Sequence, residues 1–106
     1  MTKKNKYVKI SPGDIVLVEG LKNYVKITTT TQKHVAYLTM REMENTLNAS
    51  GDFIRVHKSF IIAKQHIQRV AGRTVLLTNH LEVPIGETFR QDLQDYIARR
   101  VILSDR

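Results

Sequence analysis

The stretch FIRVHKSFII at residues 53–62 places two short apolar runs on either side of a polar junction. Apolar runs of this length, rich in Phe, Ile and Val, are typical of buried strands. The junction carries Arg55, His57, Lys58 and Ser59, whose side chains can reach phosphates and the edges of bases. The stretch therefore predicts polar groups that are held on a rigid apolar frame.

The charge of the chain points to a polyanionic partner. The 106 residues include 17 Lys and Arg against 10 Asp and Glu, which gives a formal net charge of +7. Each positioned Lys or Arg can displace counterions from a phosphate, so nucleic acid is the first partner class to consider. A basic protein whose lysines only keep it soluble fits the same charge.

The length of the chain and its hydrophobic content of 42% predict one domain over residues 1–106.

The termini and the missing cysteines bear on the compartment. The chain has no Cys, so disulfides and thiolate chemistry are excluded, and a cytoplasmic location is expected. Residues 1–6 are basic but no apolar signal region follows, and no window approaches a membrane span. We expect a core over about residues 7–100, a loose N-terminal extension, a loose C-terminal tail and no membrane partner. Met1 is compatible with a natural terminus and with a boundary inside a longer protein.

Turn residues divide most of the chain into short runs that predict strands. The predicted strands are residues 7–10, 15–18, 24–28, 34–38, 53–56, 60–63, 67–70, 74–78 and 81–85. Turns are predicted at residues 11–14 and 71–73, and a two-residue hairpin turn at Asn79 and His80. Pro84 cannot donate a ladder hydrogen bond, so the last strand should lie at a sheet edge. The chain is therefore predicted to be β-rich.

Two segments have helical periodicity instead. Thr39 and Glu42 have the spacing of a capping box, and an amphipathic helix is predicted over residues 40–47. Thr88 and Gln91 repeat that spacing before a second helix. Its predicted apolar stripe is formed by Phe89, Leu93, Tyr96, Ile97 and Val101.

Catalysis and metal binding find little support in the motifs. The histidines at positions 34, 57, 66 and 80 lack the spacing of a metal site. Ser59 lies close to His57, but two such residues on an extended chain do not make a triad, and no GxSxG elbow surrounds the serine. The sequence also lacks a P-loop and a GxGxxG motif. We therefore expect neither an enzyme nor a cofactor.

Three polar junctions have the chemistry that DNA recognition needs. They are residues 22–24, 55–59 and 86–90. For each of them alone a purely structural role is the stronger explanation: a hairpin entry, a strand break and a helix cap, respectively. Their common function depends on whether they lie along one edge, which periodicity cannot show. The two predicted helices are separated by about five strand-like runs, which argues against a helix-turn-helix.

The chain resembles the LytTR family of DNA-binding domains from Tyr7 to about Ile97. The matching pieces are DIVLVEGLKNYVKI at residues 14–27, TMREME at 39–44, FIRVHKSFII at 53–62, His66 with Ile67, and VPIGETFR at 83–90. The Arg-x-His-x-Ser-Phe core and its spacing to Val-Pro-Ile are specific in combination. The resemblance implies ten strands in packed antiparallel sheets, a LytTR-like β sandwich that is mainly β with two short helices.

The resemblance also implies a function and a set of site residues. Such domains bind direct repeats of double-stranded DNA as dimers, through loops in successive major grooves, and typically follow a receiver domain in two-component response regulators. The base-reading positions that carry over are Lys22, Asn23, Tyr24, Lys58, Gly86, Glu87 and Thr88. Positions assigned to phosphate or backbone contact are Arg55, Ser59 and Arg90, and His57 is given a mixed role that includes orienting its loop.

One departure from the family pattern concerns charge. Glu87 stands where a basic or neutral residue is common, and a carboxylate there repels phosphate unless it accepts from cytosine N4 or pairs with Arg90. The alternative function, from a different class, is a β-rich module that binds protein or lipid through a sheet edge, is basic only for solubility and does not bind specific DNA sequences.

Overall fold

The computed structural model of the chain describes residues 9–100. Within this range the chain forms eight strands and two α-helices, which confirms the mainly β fold of packed antiparallel sheets. The resemblance implied ten strands. Of the strand predicted at residues 7–10, the first half lies outside the described range, and Lys9 and Ile10 are not in a strand. Residues 1–8 and 101–106, which include the predicted loose ends and Val101, also lie outside it.

A five-stranded antiparallel sheet forms the centre of the fold. Its strands are β1 (Ile15–Gly20), β2 (Val25–Thr29), β3 (Lys33–Ala36), β4 (Phe53–His57) and β5 (Phe60–Ala63). Their order in the sheet is β3-β2-β1-β5-β4. The near-continuous apolar runs of β1 and β5 suit the middle positions, because a central strand that is covered on both faces has no solvent side.

A second sheet contains β6 (Ile67–Ala71), β7 (Thr74–Leu77) and β8 (Leu81–Pro84), in that order. Strand β8 lies at the edge, which confirms the position predicted from Pro84. The β7–β8 hairpin differs from the prediction, because three residues rather than two separate Leu77 from its partner Leu81. Asn79 and His80 both adopt a positive φ there, at 71° and 63°.

The central sheet has a hydrophobic core on each face. On one side Val18, Ile27 and Ile61 pack with Met43 and Leu47 of the first helix. On the other side, side chains of β1, β4 and β5 pack against the second sheet and the second helix: Leu17, Val56, Ile62, Val75, Leu77, Val83 and Leu93. The strands that carry the polar junctions are therefore held from both faces.

The first helix, α1 (Met40–Asn48), begins at the predicted capping box. The Thr39 hydroxyl accepts from the Glu42 amide at 3.0 Å, and the Glu42 carboxylate accepts from the Thr39 amide at 2.8 Å. Both bonds satisfy amide groups that a helix start would otherwise leave without a partner. Met43 and Leu47 are buried, as their spacing predicted.

The second helix, α2 (Arg90–Arg100), starts later than predicted. Thr88 lies inside a 3-10 turn, Glu87–Phe89, and is therefore not the N-cap residue. The reason is an anchor upstream: the Gly86 amide donates to the Val56 carbonyl at 2.7 Å, and the Phe89 amide then donates back to the Gly86 carbonyl at 3.0 Å. The chain thus begins to coil at Gly86, before the predicted capping box.

Replacing Gly20 is expected to destabilise the fold. A Cβ built at Gly20 would overlap Met40 Cγ and lie 2.8 Å from Met40 Sδ, so the Met40 side chain must move aside at the start of α1. Overpacking costs about 1–3 kcal/mol, and because the Met40 side chain is flexible and half-buried we expect the lower end of this range, about 1 kcal/mol. The free energy of unfolding of Gly20→Ala should fall by that amount in urea titrations.

Gly13→Ala is the matched control, because its Cβ would meet nothing within 4 Å. Equal unfolding free energies for the two variants would contradict the packing described here.

Candidate nucleic-acid interface

The three predicted junctions meet at one end of the central sheet. They are the β1–β2 loop (residues 21–24), the β4–β5 turn (residues 58–59) and the β8–α2 loop (residues 85–89). We call this end of the molecule the loop end. All eleven site residues predicted from the sequence lie in these connections or beside them.

Backbone hydrogen bonds join the three connections to one another. The Gly20 amide, at the end of β1 beside the β1–β2 loop, donates to the Ser59 carbonyl of the β4–β5 turn at 2.8 Å. The Gly86 amide of the β8–α2 loop donates to the Val56 carbonyl at 2.7 Å. The first bond follows from strand pairing, because β1 and β5 run antiparallel and place Glu19 opposite Phe60. The connections therefore form a continuous surface.

The β1–β2 loop presents two exposed polar side chains, those of Lys22 and Asn23. The loop is closed at its base, where the Leu21 amide donates to the Tyr24 carbonyl at 2.8 Å. Tyr24 is half-buried, and its ring centroid lies 6.0 Å from that of Tyr37. A lysine and an asparagine are the residue types that pair with guanine and adenine, respectively, in the major groove.

The β4–β5 turn exposes Lys58 and fixes its neighbours. His57 Nδ1 accepts from the Ser59 amide at 3.1 Å, and the His57 ring lies 5.3 Å from the Phe60 ring, centroid to centroid. These contacts hold the His57 ring against the turn. Lys58 is the exposed cation at the tip of the turn.

Arg55 differs from the other predicted site residues because its charged group is hydrogen-bonded to three groups of its own chain. Its guanidinium donates to the carbonyl oxygens of His57 and Lys58 and to the carboxylate of Glu44 in α1. The Arg55 side chain is 22% exposed. The resemblance assigns Arg55 to phosphate or backbone contact, and in the structure its guanidinium is engaged by groups of its own chain.

The β8–α2 loop brings Glu87 and Arg90 together. The distance from Arg90 Nη1 to Glu87 Oε2 is 3.8 Å, with side-chain exposures of 38% and 76%. A pair so exposed and so long contributes little to stability. It nevertheless places a cation beside the carboxylate, which is one of the two conditions stated for Glu87. Thr88 is exposed next to it.

Gly86 has little free space around it. A Cβ there would lie 3.1 Å from Phe89 Cδ2 and 3.3 Å from the Cα of His57. A side chain at this position therefore has to displace the loop or the end of β4.

An open depression of about 530 Å³ lies between the β1–β2 loop and the β4–β5 turn. Its lining combines apolar groups of Leu21, Leu38 and Met40 with the cations of Lys22 and Lys58. The surface is thus concave between two exposed lysines.

The structure adds a fourth connection to the loop end. The β6–β7 turn contains Gly72, with φ of 61°, and the exposed Arg73, whose carbonyl accepts from the Ile85 amide at 2.8 Å. The turn itself was predicted, but Arg73 was not among the predicted site residues. The signal that could have found it is antiparallel pairing, since a hairpin places the start of β7 beside the end of β8.

Among residues 9–100, no helix is long and apolar enough to cross a membrane. No group of three or more His, Asp or Glu side chains in the same range could hold a metal ion.

The sequence matches the family described as the LytTr DNA-binding domain over residues 5–98. The match extends over most of the chain, and it agrees with the resemblance drawn from the motifs. The chain belongs to the LytTr DNA-binding domain family.

Curated relatives include the transcriptional regulatory protein LytR of Staphylococcus aureus strain N315 and that of strain NCTC 8325 / PS 47. Each is 33% identical to this chain over 73 residues, a match that covers 64% of this chain. The match covers 29% of the length of each relative. The chain therefore spans less than a third of the curated proteins that it matches.

A solved structure shares the fold. It is the LytTr DNA-binding domain of a putative methyl-accepting/DNA response regulator from Bacillus cereus, with a TM-score of 0.76. The superposition covers 91% of this chain and 92% of that one, at 17% sequence identity. At this identity the likeness shows a common fold.

Proposed function

We propose that this chain is a sequence-specific double-stranded DNA-binding domain that reads the major groove from its loop end. The observation that carries the proposal is the convergence of separate polar connections on one surface, joined by the bonds from Gly20 to Ser59 and from Gly86 to Val56. Connections on a rigid scaffold can present base-reading and phosphate-binding groups at once. Membership of the LytTr DNA-binding domain family supports the same function.

Electrostatics favour DNA as the partner at this end. The chain carries a formal charge of +7. Exposed or half-exposed cations lie in three connections of the loop end and at the first residue of α2: Lys22, Lys58, Arg73 and Arg90. Cations spread over several loops can meet phosphates along a stretch of duplex, and each neutralised phosphate releases counterions. Net attraction then depends on salt.

The side chains divide between two tasks. Lys22, Asn23 and Lys58 are exposed at loop tips and have donors that match guanine or adenine edges, so we assign base reading to them. Ser59, Arg73 and Arg90 are assigned to phosphates, because hydroxyl and guanidinium groups donate to phosphate oxygens. The remaining predicted base-reading positions contribute to the conformation of two loops. Tyr24 belongs to the β1–β2 loop, and Gly86, Glu87 and Thr88 belong to the β8–α2 loop.

The larger context is part of the same proposal. Because the chain spans 29% of its curated relatives, we propose that it acts as the output domain of a longer response regulator. In that setting it would be cytoplasmic, have no catalytic role of its own and bind direct repeats as a dimer, with a receiver domain elsewhere in the protein.

A second candidate function has one observation in its favour. Strand β3 lies at the edge of the central sheet, and Val35 and the nearby Tyr37 are 53% and 65% exposed. An exposed apolar edge can pair with a strand of another protein. This alternative is a protein-interaction module without sequence-specific DNA binding.

Selection of bound duplexes from a randomised library distinguishes the two functions. We expect enrichment of a short motif at near-physiological salt, repeated about one or two helical turns apart. The affinity for the enriched duplex should fall with salt, with a logarithmic slope of about −0.9 for each phosphate neutralised. Recovery of unselected sequence would contradict the proposal and favour the protein-interaction module.

Lys58→Ala tests base reading at the tip of the β4–β5 turn. If Lys58 contacts a base, the variant should lose about 1–3 kcal/mol of binding free energy on the enriched duplex and discriminate less at one base pair. Binding is measured by fluorescence anisotropy on the enriched duplex and on single-base variants of it.

Lys33→Ala is the control, because it removes the same charge from an exposed lysine at the other end of the central sheet. Equal weakening by Lys58→Ala on every sequence would make Lys58 a phosphate contact instead.

A further inference from the structure

We infer that Arg55 is a positioning residue, which fixes the β4–β5 turn for DNA reading through Glu44 and Phe89 and does not itself contact phosphate. The inference rests on the proposed function and deepens it. It gives helix α1, which carries no predicted DNA contact, a part in recognition.

The Arg55 guanidinium holds two successive carbonyl groups at the start of the turn, those of His57 and Lys58. Arg55 Nε donates to the His57 carbonyl at 3.3 Å, and Nη2 donates to the carbonyl of Lys58. A planar fork of donors can bridge two successive carbonyls, whereas the ammonium of a lysine cannot reproduce that geometry. The backbone that carries the Lys58 side chain is thereby held by a side chain from the preceding strand.

The same guanidinium is itself held by α1. Arg55 Nη1 lies 2.9 Å from Glu44 Oε1, and the two side chains are 22% and 34% exposed. A charge-assisted hydrogen bond in a partly buried site is stronger than one at the surface. Glu44 therefore orients the fork that supports the turn.

A third contact reaches the β8–α2 loop. Arg55 Cζ lies 5.7 Å from the centroid of the Phe89 ring, within the range of a cation–π contact. Phe89 is in turn tied to Gly86 through its amide. Arg55 thus connects the β4–β5 turn, helix α1 and the β8–α2 loop.

These contacts leave Arg55 poorly suited to phosphate. Donors on all three of its nitrogens already point at protein oxygens, and the Glu44 carboxylate 2.9 Å away offsets its charge. A phosphate would have to displace these partners and approach a carboxylate. Lys58, which is exposed, has no such competition in the described contacts of its side chain.

The position of the β4–β5 turn matters more for sequence-specific base contacts than for non-specific attraction to phosphates. A base contact needs its side chain to start from a fixed point, so a mobile turn loses the ordered geometry that the specific complex requires. Attraction between exposed cations and phosphates needs no such fixed point. Loss of Arg55 or Glu44 should therefore weaken specific binding while leaving non-specific binding nearly unchanged.

The test uses Arg55→Lys, which keeps the charge, and Glu44→Ala, which removes the carboxylate and favours the helix. Each should weaken binding to the enriched duplex about tenfold or more, and binding to a random duplex by less than about twofold. The double variant should bind about as weakly as Arg55→Lys alone, because Glu44 acts on the turn through Arg55.

Glu82→Ala is the matched control, since it removes one exposed carboxylate from the second sheet. Electrostatics alone predicts that Glu44→Ala and Glu82→Ala both tighten binding, because the net charge rises. If Glu44→Ala weakens specific binding and Glu82→Ala does not, the effect is opposite to the electrostatic expectation. That result supports the positioning role of Arg55 and Glu44.

Hydrogen exchange without DNA provides a second readout. In Arg55→Lys and Glu44→Ala the amides of Ser59 and Phe89 should exchange about tenfold faster, while the Gln32 amide at the other end of the sheet is unchanged. Thermal unfolding verifies that both variants remain folded.

Two outcomes would overturn the inference. One is wild-type binding by Arg55→Lys together with a salt slope reduced by about 0.9 on both duplexes in Arg55→Ala, which is the behaviour of a phosphate contact. The other is unchanged exchange at Ser59 and Phe89. Failure of the wild-type chain to discriminate between duplexes would instead overturn the proposed function, and exchange would still decide the role of Arg55.

Discussion

The pairing of β1 with β5 is the interaction on which the rest of the molecule depends. These strands are far apart in sequence, and their antiparallel register places Glu19 opposite Phe60. The register brings the end of β1 to the start of β5, where the Gly20 amide reaches the Ser59 carbonyl. Without that pairing, the β1–β2 loop and the β4–β5 turn would have no common surface.

The two-sided core makes this arrangement rigid. Helix α1 covers one face of the central sheet, and the second sheet with α2 covers the other. Each covering layer also reaches the loop end: α1 through Glu44 and Arg55, and α2 through the loop anchored at Gly86. The elements that stabilise the fold therefore also fix the connections proposed to read DNA, which is how a β scaffold can present recognition groups without a recognition helix.

Local features were predictable from the sequence, and features that depend on distant residues were not. The capping box of Thr39 and Glu42 and the edge position of Pro84 follow from nearby residues, and both are confirmed. Thr88 and Gln91 have the same spacing, but a bond from Gly86 to distant Val56 shifts the helix start. The partnership of Arg55 with Glu44 crosses from a strand to a helix, so no periodicity reveals it. The site residues were named from the family motif, and only strand register shows that their connections are neighbours.

The most direct test of the account is an NMR titration of the chain with its selected duplex. Amide shifts should change in the four connections of the loop end, including Lys22, Lys58 and Arg73. Amides at residues 30–32 and 78–80, at the other ends of the two sheets, should stay unchanged. Shift changes centred on the exposed edge of β3, with the loop end unaffected, would contradict the claim that this chain reads DNA from its loop end.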